Sequence, residues 1–343
     1  MGVEQGTIGI ITNSSATITQ REAAELGIIS TDFYLHSENT GENFTDSTLP
    51  PQDLYIRQQD RSHYEDGEIF SSSQPTPKDF LKTYEDNYKE GKKDILVISI
   101  SSALSGTANS ASIGAEMAKA KYPDINIHII DTETFCLAQR EIVFLALDLI
   151  KEGKPIEEIV PKLEERVGKD TLYAYGNKYT FAFLGKSGRV SDGTGRLEKY
   201  SGKLFGKNGR ISQKLDKFKG IAKEAVARTA SNLSLLPIVL FPDKDTRKVK
   251  LVNRLARKSA DAKHAILDLI NKDIEIRGQN NEKLLKWGIA YTGDESRGQD
   301  LKEFLYNELP DLRDIPFIGI REAGSVLGVH AGPGLSAMVA IWD

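Results

Sequence analysis

Short apolar runs that end in polar loops recur through the first half of the chain. Residues 94–100 (DILVISI) are rich in Ile and Val, which predicts a strand buried on both faces, as in a parallel sheet. The loop Ser101–Thr107 follows it, and a helical pattern covers 108–121. Similar strands are predicted at 7–12 and 125–130. This alternation of strand and helix predicts an α/β layer with a parallel sheet.

The remaining elements of the first half follow from caps, prolines and apolar spacing. We expect helices at 19–26, 77–90, 137–151 and 155–167, and a strand at 28–35. Residues 36–70 are polar and irregular, which indicates an exposed excursion with at most a short helix.

The second half has a different pattern, with fewer regular alternations. We expect strands at 172–175, 237–241 and 286–292, an apolar turn at 181–184, and helices at 222–233, 256–270 and 299–309. The last section is predicted to be all strand, at 317–322, 326–329 and 336–342. His330 is then expected where a strand meets the glycine-rich turn 331–334.

Composition narrows the class of protein. The 343 residues, 39% hydrophobic and 27% charged, suffice for two domains of a soluble globular protein. The net charge of −4 gives no overall basic character for nucleic acid. The single Cys136 excludes an internal disulfide and fits a reducing compartment. No secretory signal and no membrane-spanning apolar stretch is recognised, so a cytoplasmic location is expected.

The charge is unevenly distributed. Residues 178–223 contain 12 Lys and Arg against 3 Asp and Glu. A charge run is usually a solvated face, but an excess of this size favours an anionic ligand or an acidic partner.

Several kinds of chemistry are disfavoured. The five histidines, at positions 36, 63, 128, 264 and 330, lack metal-ligand spacing. Residues 202–208 have too short a gap for a phosphate loop, and 193–195 do not follow a strand as a dinucleotide fingerprint should. The Gly-x-Ser-x-Gly elbow of α/β-hydrolases is missing. We therefore expect no metal and no cofactor.

Polar loops form the best candidate site. In parallel sheets ligands bind at the carboxyl ends of strands, so Asn13–Ser15, Ser71–Thr76 and Ser101–Thr107 can converge on one crevice. Hydroxyls, an arginine and a histidine together can hold a carboxylate. Each residue also has a structural interpretation. Ser72 can cap a turn, Ser105 or Thr107 can cap a helix, Arg189 can pair with a surface acid, and His330 can hold its own turn.

Four motifs carry a resemblance to a known family. They are Ser72–Thr76 (SSQPT), Ser101–Thr107 (SSALSGT), Lys186–Ser191 (KSGRVS) and Gly328–Gly334 (GVHAGPG), in that order. Together they resemble the DegV family, the fatty-acid-binding proteins that include the FakB subunit of bacterial fatty acid kinase. The segments 10–15 and 130–132 also resemble its pattern.

The resemblance implies a two-domain α/β protein that binds a long-chain fatty acid. We place an N-terminal, Rossmann-like parallel-sheet domain at 1–168 and a C-terminal α/β domain with a mixed sheet at 169–343, with the ligand between them. The resemblance assigns the carboxylate to Ser72, Ser105, Arg189 and His330. Secondary candidates are Asn13, Ser14, Ser73, Ser102, Gly106 and Thr107. It also implies no catalysis by the chain itself, which would present the acid to a separate ATP-dependent kinase for acyl phosphate formation.

The chain departs from the family pattern at several positions. Asn13 stands where an Asp is usual, Ser72 replaces a Thr, and Ser187 replaces a Gly. The Ile-Lys-Pro segment expected near 200–206 is missing, as is the Arg that follows it. In kinase-coupled members this region faces the kinase, so ligand binding carries over better than the kinase partnership.

Two other functions remain open from the sequence. One is an acyl-transfer hydrolase that uses Ser105 with His330, although no orienting acid is assigned for the histidine. The other is an interaction protein whose basic segment, 178–223, binds an acidic partner.

Overall fold

The chain forms two units, each built on a sheet of its own. The computed structural model describes residues 8–59, 68–177, 190–191, 236, 238–242, 249–252, 256 and 258–343. Unit 1 comprises Met1–Asp170 with Ala323–Leu327, and unit 2 comprises Thr171–Glu322 with Gly328–Asp343.

Unit 1 is an α/β layer with a small additional sheet. Its strands are β1 (Ile8–Asn13), β2 (Ile29–Thr31), β3 (Tyr34–Ser37), β4 (Asn43–Thr45), β5 (Phe70–Ser73), β6 (Asp94–Ser99) and β7 (Asn126–Asp131). Its helices are α1 (Gln20–Leu26), α2 (Pro51–Gln59), α3 (Pro77–Lys89), α4 (Thr107–Lys121), α5 (Cys136–Lys151) and α6 (Ile156–Glu164). The main sheet has the order β2-β1-β6-β7, and all of its strand pairs are parallel. The predicted parallel layer is therefore confirmed.

Strand β6 shows why this sheet needs helices on both faces. Ile95 and Val97 join the apolar cluster formed with α3 and α4. Leu96 and Ile98 point to the other face and join the cluster formed with α5 and α6. An uninterrupted apolar strand is stable only where both of its faces are covered. The prediction that residues 94–100 form a strand buried on both faces is therefore confirmed.

The region 28–70 is more regular than expected. The single strand predicted at 28–35 is two strands, β2 and β3, that belong to different sheets. The break falls at Asp32, whose carboxylate accepts a hydrogen bond from Gln20 Nε2 (2.8 Å), and at the buried Phe33. The predicted irregular excursion is wrong as well, because β3 pairs antiparallel with both β4 and β5.

Unit 2 contains a mixed sheet, as predicted. Its strands are β8 (Thr171–Tyr175), β9 (Val190–Ser191), β10 (Ile238–Phe241), β11 (Val249–Leu251), β12 (Leu284–Tyr291), β13 (Phe317–Glu322) and β14 (Ser336–Trp342), in the order β13-β12-β14-β8-β10-β11-β9. Helices α7 (Ser259–Gln279) and α8 (Glu295–Glu308) cover an apolar face that includes Trp287. Strands β12 and β13 are parallel, and β14 runs antiparallel to β12 and β8.

The prediction of a strand at 326–329 is wrong. These residues lie in the short helix α9 (Ser325–Ala331). Valine favours strands, but here two bonds to distant residues hold the first turn. The Ser325 hydroxyl donates to the Leu49 carbonyl, and the Val326 N–H donates to the Asp46 carboxylate. Tertiary contacts therefore override local propensity.

One predicted helix differs from the observed helix in extent, and several predicted features lie outside the described residues. Helix α7 was predicted at 256–270 but begins at Ser259 and continues to Gln279. The predicted turn 181–184, the helix 222–233 and Arg189 lie outside the described residues, as does the basic segment 178–223 apart from Val190–Ser191. Among the helices of the described ranges, none is long and apolar enough to cross a membrane.

Candidate functional site

The loop Ser101–Thr107 at the carboxyl end of β6 is held by the end of the neighbouring strand. The Asp131 carboxylate accepts the Ser102 N–H at 3.1 and 3.2 Å and the Glu133 N–H at 3.0 Å. The Ser105 N–H donates to the Ser101 carbonyl at 3.1 Å. Since buried or bent backbone needs such partners, Asp131 fixes the loop that presents Ser105.

Two hydroxyls meet at the start of α4. Ser105 Oγ and Thr107 Oγ1 are 2.8 Å apart, and both side chains are buried. One hydroxyl donates to the other, so the pair retains one O–H for a further acceptor. The N-cap of α4 is Gly106, which has no side chain to cap the first turn. A helix start of this kind favours an anionic group.

The Ser72–Thr76 segment lies against this loop within unit 1. A Cβ on Gly106 would be 2.8 Å from Gln74 Nε2, so the Gln74 amide packs directly on Gly106. Upstream, Ser72 pairs with the fully buried Leu35, and Ser73 pairs with Tyr34. Ser72 is half-buried and Ser73 is exposed. The predicted convergence of these two motifs is thus observed.

The third loop, at the end of β1, is tied into the core. Asn13 is buried, and its side-chain oxygen accepts a hydrogen bond from Gln139 Nε2 at 2.8 Å. Ser15 Oγ donates a hydrogen bond to Gln139 Oε1 at 2.8 Å. Ser14 Oγ instead accepts the Phe33 N–H at 3.4 Å. A ligand contact by Asn13 or Ser14 stays a prediction.

A buried acid lies next to Ser14. Asp46 Oδ1 accepts the Val326 N–H at 2.5 Å. Burial raises the pKa of the Asp46 carboxyl to about 7, against the lowering effect of hydrogen bonds from Ser14 and Val326. Its ordinary value is 3.8, so the acid titrates near neutral pH. Asp46 thereby links the small sheet to the first turn of α9.

His330 belongs to unit 2 and lies in the last turn of α9. It is half-buried. The turn after it is fixed by Thr292, whose hydroxyl donates to the Gly332 carbonyl at 2.7 Å and accepts the Leu335 N–H at 2.9 Å. Asn177 Nδ2 donates to the Pro333 carbonyl at 2.6 Å. The sequence pattern suggested neither Thr292 nor Asn177.

Most of the predicted ligand-binding residues lie in unit 1. Ser72, Ser73, Ser102, Ser105, Gly106 and Thr107 lie on two adjoining segments of that unit. His330 lies in unit 2, and Arg189 lies outside the described residues.

Metal and thiol chemistry find little support in the described part of the chain. It contains no group of three or more His, Cys, Asp or Glu side chains that could hold a metal ion. Burial raises the pKa of the Cys136 thiol to about 12. Since the thiolate is the reactive form, this cysteine is a core residue.

Comparison with known proteins gives two kinds of likeness. Residues 7–202 match the model of the family described as uncharacterised protein, DegV family. A DegV domain-containing protein of Clostridium perfringens is 34% identical over 184 residues, which is 53% of this chain and 60% of the relative. A protein of Thermotoga maritima named fatty acid-binding protein is 37% identical over 128 residues, 37% of this chain and 42% of the relative. The alignments thus span less than two thirds of these relatives.

Solved structures share the fold over nearly the whole chain. A DegV family protein from Thermus thermophilus, described by its fatty acid binding, has a TM-score of 0.70 at 21% identity over 97% of this chain and 99% of that one. A stearic acid-binding protein from Eubacterium ventriosum has a TM-score of 0.73 at 16% identity, over 97% and 98%. At these identities the likeness shows the fold alone. The family model, however, matches more than half of the sequence, and the chain therefore belongs to the DegV family.

Proposed function

We propose that this protein binds a long-chain fatty acid and does no chemistry on it. The carboxylate is held by Ser72 and Ser105, with Arg189 and His330 as further donors, and the acyl chain lies between the domains 1–168 and 169–343. The bound acid is then presented to a separate kinase.

The observation that carries the proposal is the pair of adjoining hydroxyl segments in unit 1. Gln74 packs on Gly106, which brings the Ser72 strand end to the loop that holds Ser105. Beyond its mutual hydrogen bond, the Ser105–Thr107 pair keeps one O–H donor that can bond to a ligand acceptor. Relatives named as fatty-acid-binding proteins support an acyl carboxylate as that acceptor.

The local chemistry favours binding over hydrolysis. A serine nucleophile needs a general base within hydrogen-bond reach. The partner of Ser105 Oγ is another hydroxyl, that of Thr107, which cannot serve as a base at neutral pH. An ester-substrate screen checks this, and turnover that is abolished by Ser105→Ala would support the hydrolase instead.

The direct test is identification of the ligand. Denaturing mass spectrometry of the purified chain is expected to show a long-chain fatty acid, and the delipidated chain is expected to take up oleate. The proposal fails if no lipid copurifies and added oleate is not bound.

Ser105→Ala tests the placement of the carboxylate. Loss of a hydrogen bond to a charged group costs about 1.5–3 kcal/mol, so oleate affinity should fall at least about tenfold. Ser112→Ala is the matched control, because Ser112 is an exposed serine near the start of α4 whose hydroxyl donates to the Ala108 carbonyl of its own helix. Equal affinities for the two variants would place the carboxylate elsewhere.

Presentation to a kinase is the second half of the proposal. It rests on the family resemblance and on the basic character of 178–223, which suits an acidic partner. A cytoplasmic location, proposed from the lone buried Cys136, would give access to such an enzyme. Acyl phosphate formation from bound oleate, assayed with a bacterial fatty acid kinase and ATP, tests the partnership.

A further inference from the structure

Arg297, in the first turn of α8, has an unused pair of hydrogen-bond donors. Its Nε and Nη2 atoms are buried, and neither has a partner among the described residues. These two N–H groups lie on one edge of the guanidinium and point the same way, which is the edge that binds a carboxylate through two parallel bonds. Buried donors of this kind are costly unless something accepts from them.

A row of side chains lies across the sheet beneath this arginine. Tyr291 on β12 pairs with Ser336 on β14, and Ser336 pairs in turn with Tyr175 on β8. Directly paired residues point to the same face of a sheet. A small serine therefore stands between two tyrosines. Its hydroxyl is fully buried and also lacks a partner among the described residues.

The position of α8 places Arg297 above the row of side chains that contains Ser336. A Cβ on Gly298 would touch Ile320, Ile289 and Tyr291 at 3.2–3.4 Å, so the start of α8 lies over β12 and β13. The Arg297 guanidinium nevertheless reaches the Tyr175 ring on β8, with its carbon 5.5 Å from the ring centroid. Since β14, which carries Ser336, lies between β12 and β8, the Arg297 side chain extends over this strand.

Asp294, three residues before Arg297, does not neutralise this edge. Asp294 is the exposed N-cap of α8, and its side chain accepts the Ser296 N–H at 2.9 Å. The pKa of Asp294 is lowered first by its hydrogen bonds from Ser296 and less by the charge of Arg297. The buried Nε and Nη2 donors thus retain their capacity for another anion.

We propose that the Arg297 edge and the Ser336 hydroxyl form a carboxylate-binding niche in unit 2. One carboxylate accepts two bonds from the guanidinium and a third from the serine, while the Tyr175 ring covers the guanidinium. The carboxylate comes either from the fatty acid itself, whose head group would then lie here and not at Ser72 and Ser105, or from a small free acid. The first source rests on the fatty acid binding of the proposed function, and the second does not.

The test uses the delipidated full-length chain with two probes, ¹³C-acetate and ¹³C-oleate. Binding is followed by calorimetry and by the Nε–H resonance of Arg297 in ¹⁵N-arginine-labelled protein. We expect one of the probes to shift this resonance. The variants are Arg297→Met, Arg297→Lys and Ser336→Ala. Arg313→Met is the matched control, since Arg313 is an exposed arginine of the same unit that also lies over an aromatic ring, that of Tyr306.

Both Arg297 variants are expected to weaken binding of that probe about tenfold or more, because lysine keeps the charge but not the paired donors. Ser336→Ala should weaken it as well. Ser336→Ala should also raise the Tm of the ligand-free chain, since it removes an unmatched buried hydroxyl. A purely structural serine would lower the Tm instead. If Arg297→Met does not fold, the lysine and alanine variants decide the matter.

The outcomes separate the niche from the proposed function. Loss of oleate affinity in the Arg297 variants, with the affinity of Ser105→Ala unchanged, identifies the acyl carboxylate as the occupant and moves it away from Ser72 and Ser105. Loss of acetate affinity alone identifies a small acid. Affinities for both probes that match those of Arg313→Met overturn the niche, whatever Ser105→Ala does. If the wild-type chain binds acetate at Arg297 but never oleate, the niche stands and the proposed function falls.

Discussion

Asp46→Asn should remove a pH dependence of stability that the buried carboxyl imposes. The Asp46 side chain lies in the interior of unit 1. Its Oδ1 atom accepts the Val326 N–H, and its Oδ2 atom is buried with no hydrogen bond to the described residues. The charge of Asp32 raises the pKa of Asp46 further. Asparagine keeps an acceptor for Val326 in nearly the same shape and cannot ionise.

The magnitude follows from the two pKa values. The folded chain keeps the proton to about pH 7, whereas the unfolded chain releases it near the ordinary value of 3.8. Each pKa unit corresponds to about 1.4 kcal/mol. The stabilisation from the neutral carboxyl is therefore complete below about pH 4 and is lost as the pH rises to about 7, a total of about 4 kcal/mol.

The assay is urea unfolding of the wild type and Asp46→Asn at several pH values from 4 to 8. Their difference in the free energy of unfolding cancels the other carboxyls, so the variant should gain on the wild type as the pH rises. Asp53→Asn, an exposed acid of the same unit, should show no such trend. A difference between wild type and Asp46→Asn that stays constant with pH would refute the burial argument. Hydrogen exchange at the Val326 amide reports whether the bond survives in the variant.

Two further substitutions test the packing around the hydroxyl loops. Gly114→Ala should destabilise the protein by about 1–3 kcal/mol, because the new Cβ would lie 2.8 Å from the Pro77 carbonyl oxygen. Urea unfolding measures this loss. The control Gly278→Ala should be neutral or stabilising, because a Cβ there has nothing within 4 Å. Asp131→Asn should lower oleate affinity about tenfold while costing about 1 kcal/mol of stability, because one oxygen that receives the Ser102 N–H becomes an amide donor; equal hydrogen exchange at Ser102 in both proteins would count against this.

The central strand and its loop could be predicted because their signal is local. The apolar run of β6 is continuous, and both of its faces are covered. The hydroxyls that follow it lie where a parallel strand ends and a helix begins. Composition and order along the chain specify such a unit, and no distant residue is needed to recognise it.

Helix α9 shows where local signals fail. Val326 and Val329 favour a strand, but the first turn of the helix is bonded to Leu49 and Asp46. Those partners are more than 270 positions away in the sequence. The polar character of residues 36–70 gave no sign of these partners, because the sequence does not distinguish a buried acid from an exposed one.

The same limitation applies to the individual site residues. Asn13 and Ser105 both lie in polar loops at the ends of apolar strands, and both were candidates, Ser105 as a principal binding residue and Asn13 as a secondary one. Their hydrogen bonding in the folded chain differs. The Asn13 side-chain oxygen already accepts a hydrogen bond from Gln139, whereas the Ser105–Thr107 pair retains an O–H donor. Such a distinction depends on which partner faces each group after folding, and residue type alone does not contain it.

Buried hydrogen bonds support the loops of the proposed carboxylate site. Thr12 and Thr132 donate to the Ile98 and Ser99 carbonyls at 2.9 and 2.8 Å, and both threonines are buried. These bonds fix the ends of the parallel strands before any ligand arrives. A donor on a fixed loop loses little conformational entropy when it binds. If Ser105 binds a carboxylate, as we propose, its affinity should therefore depend on these buried threonines.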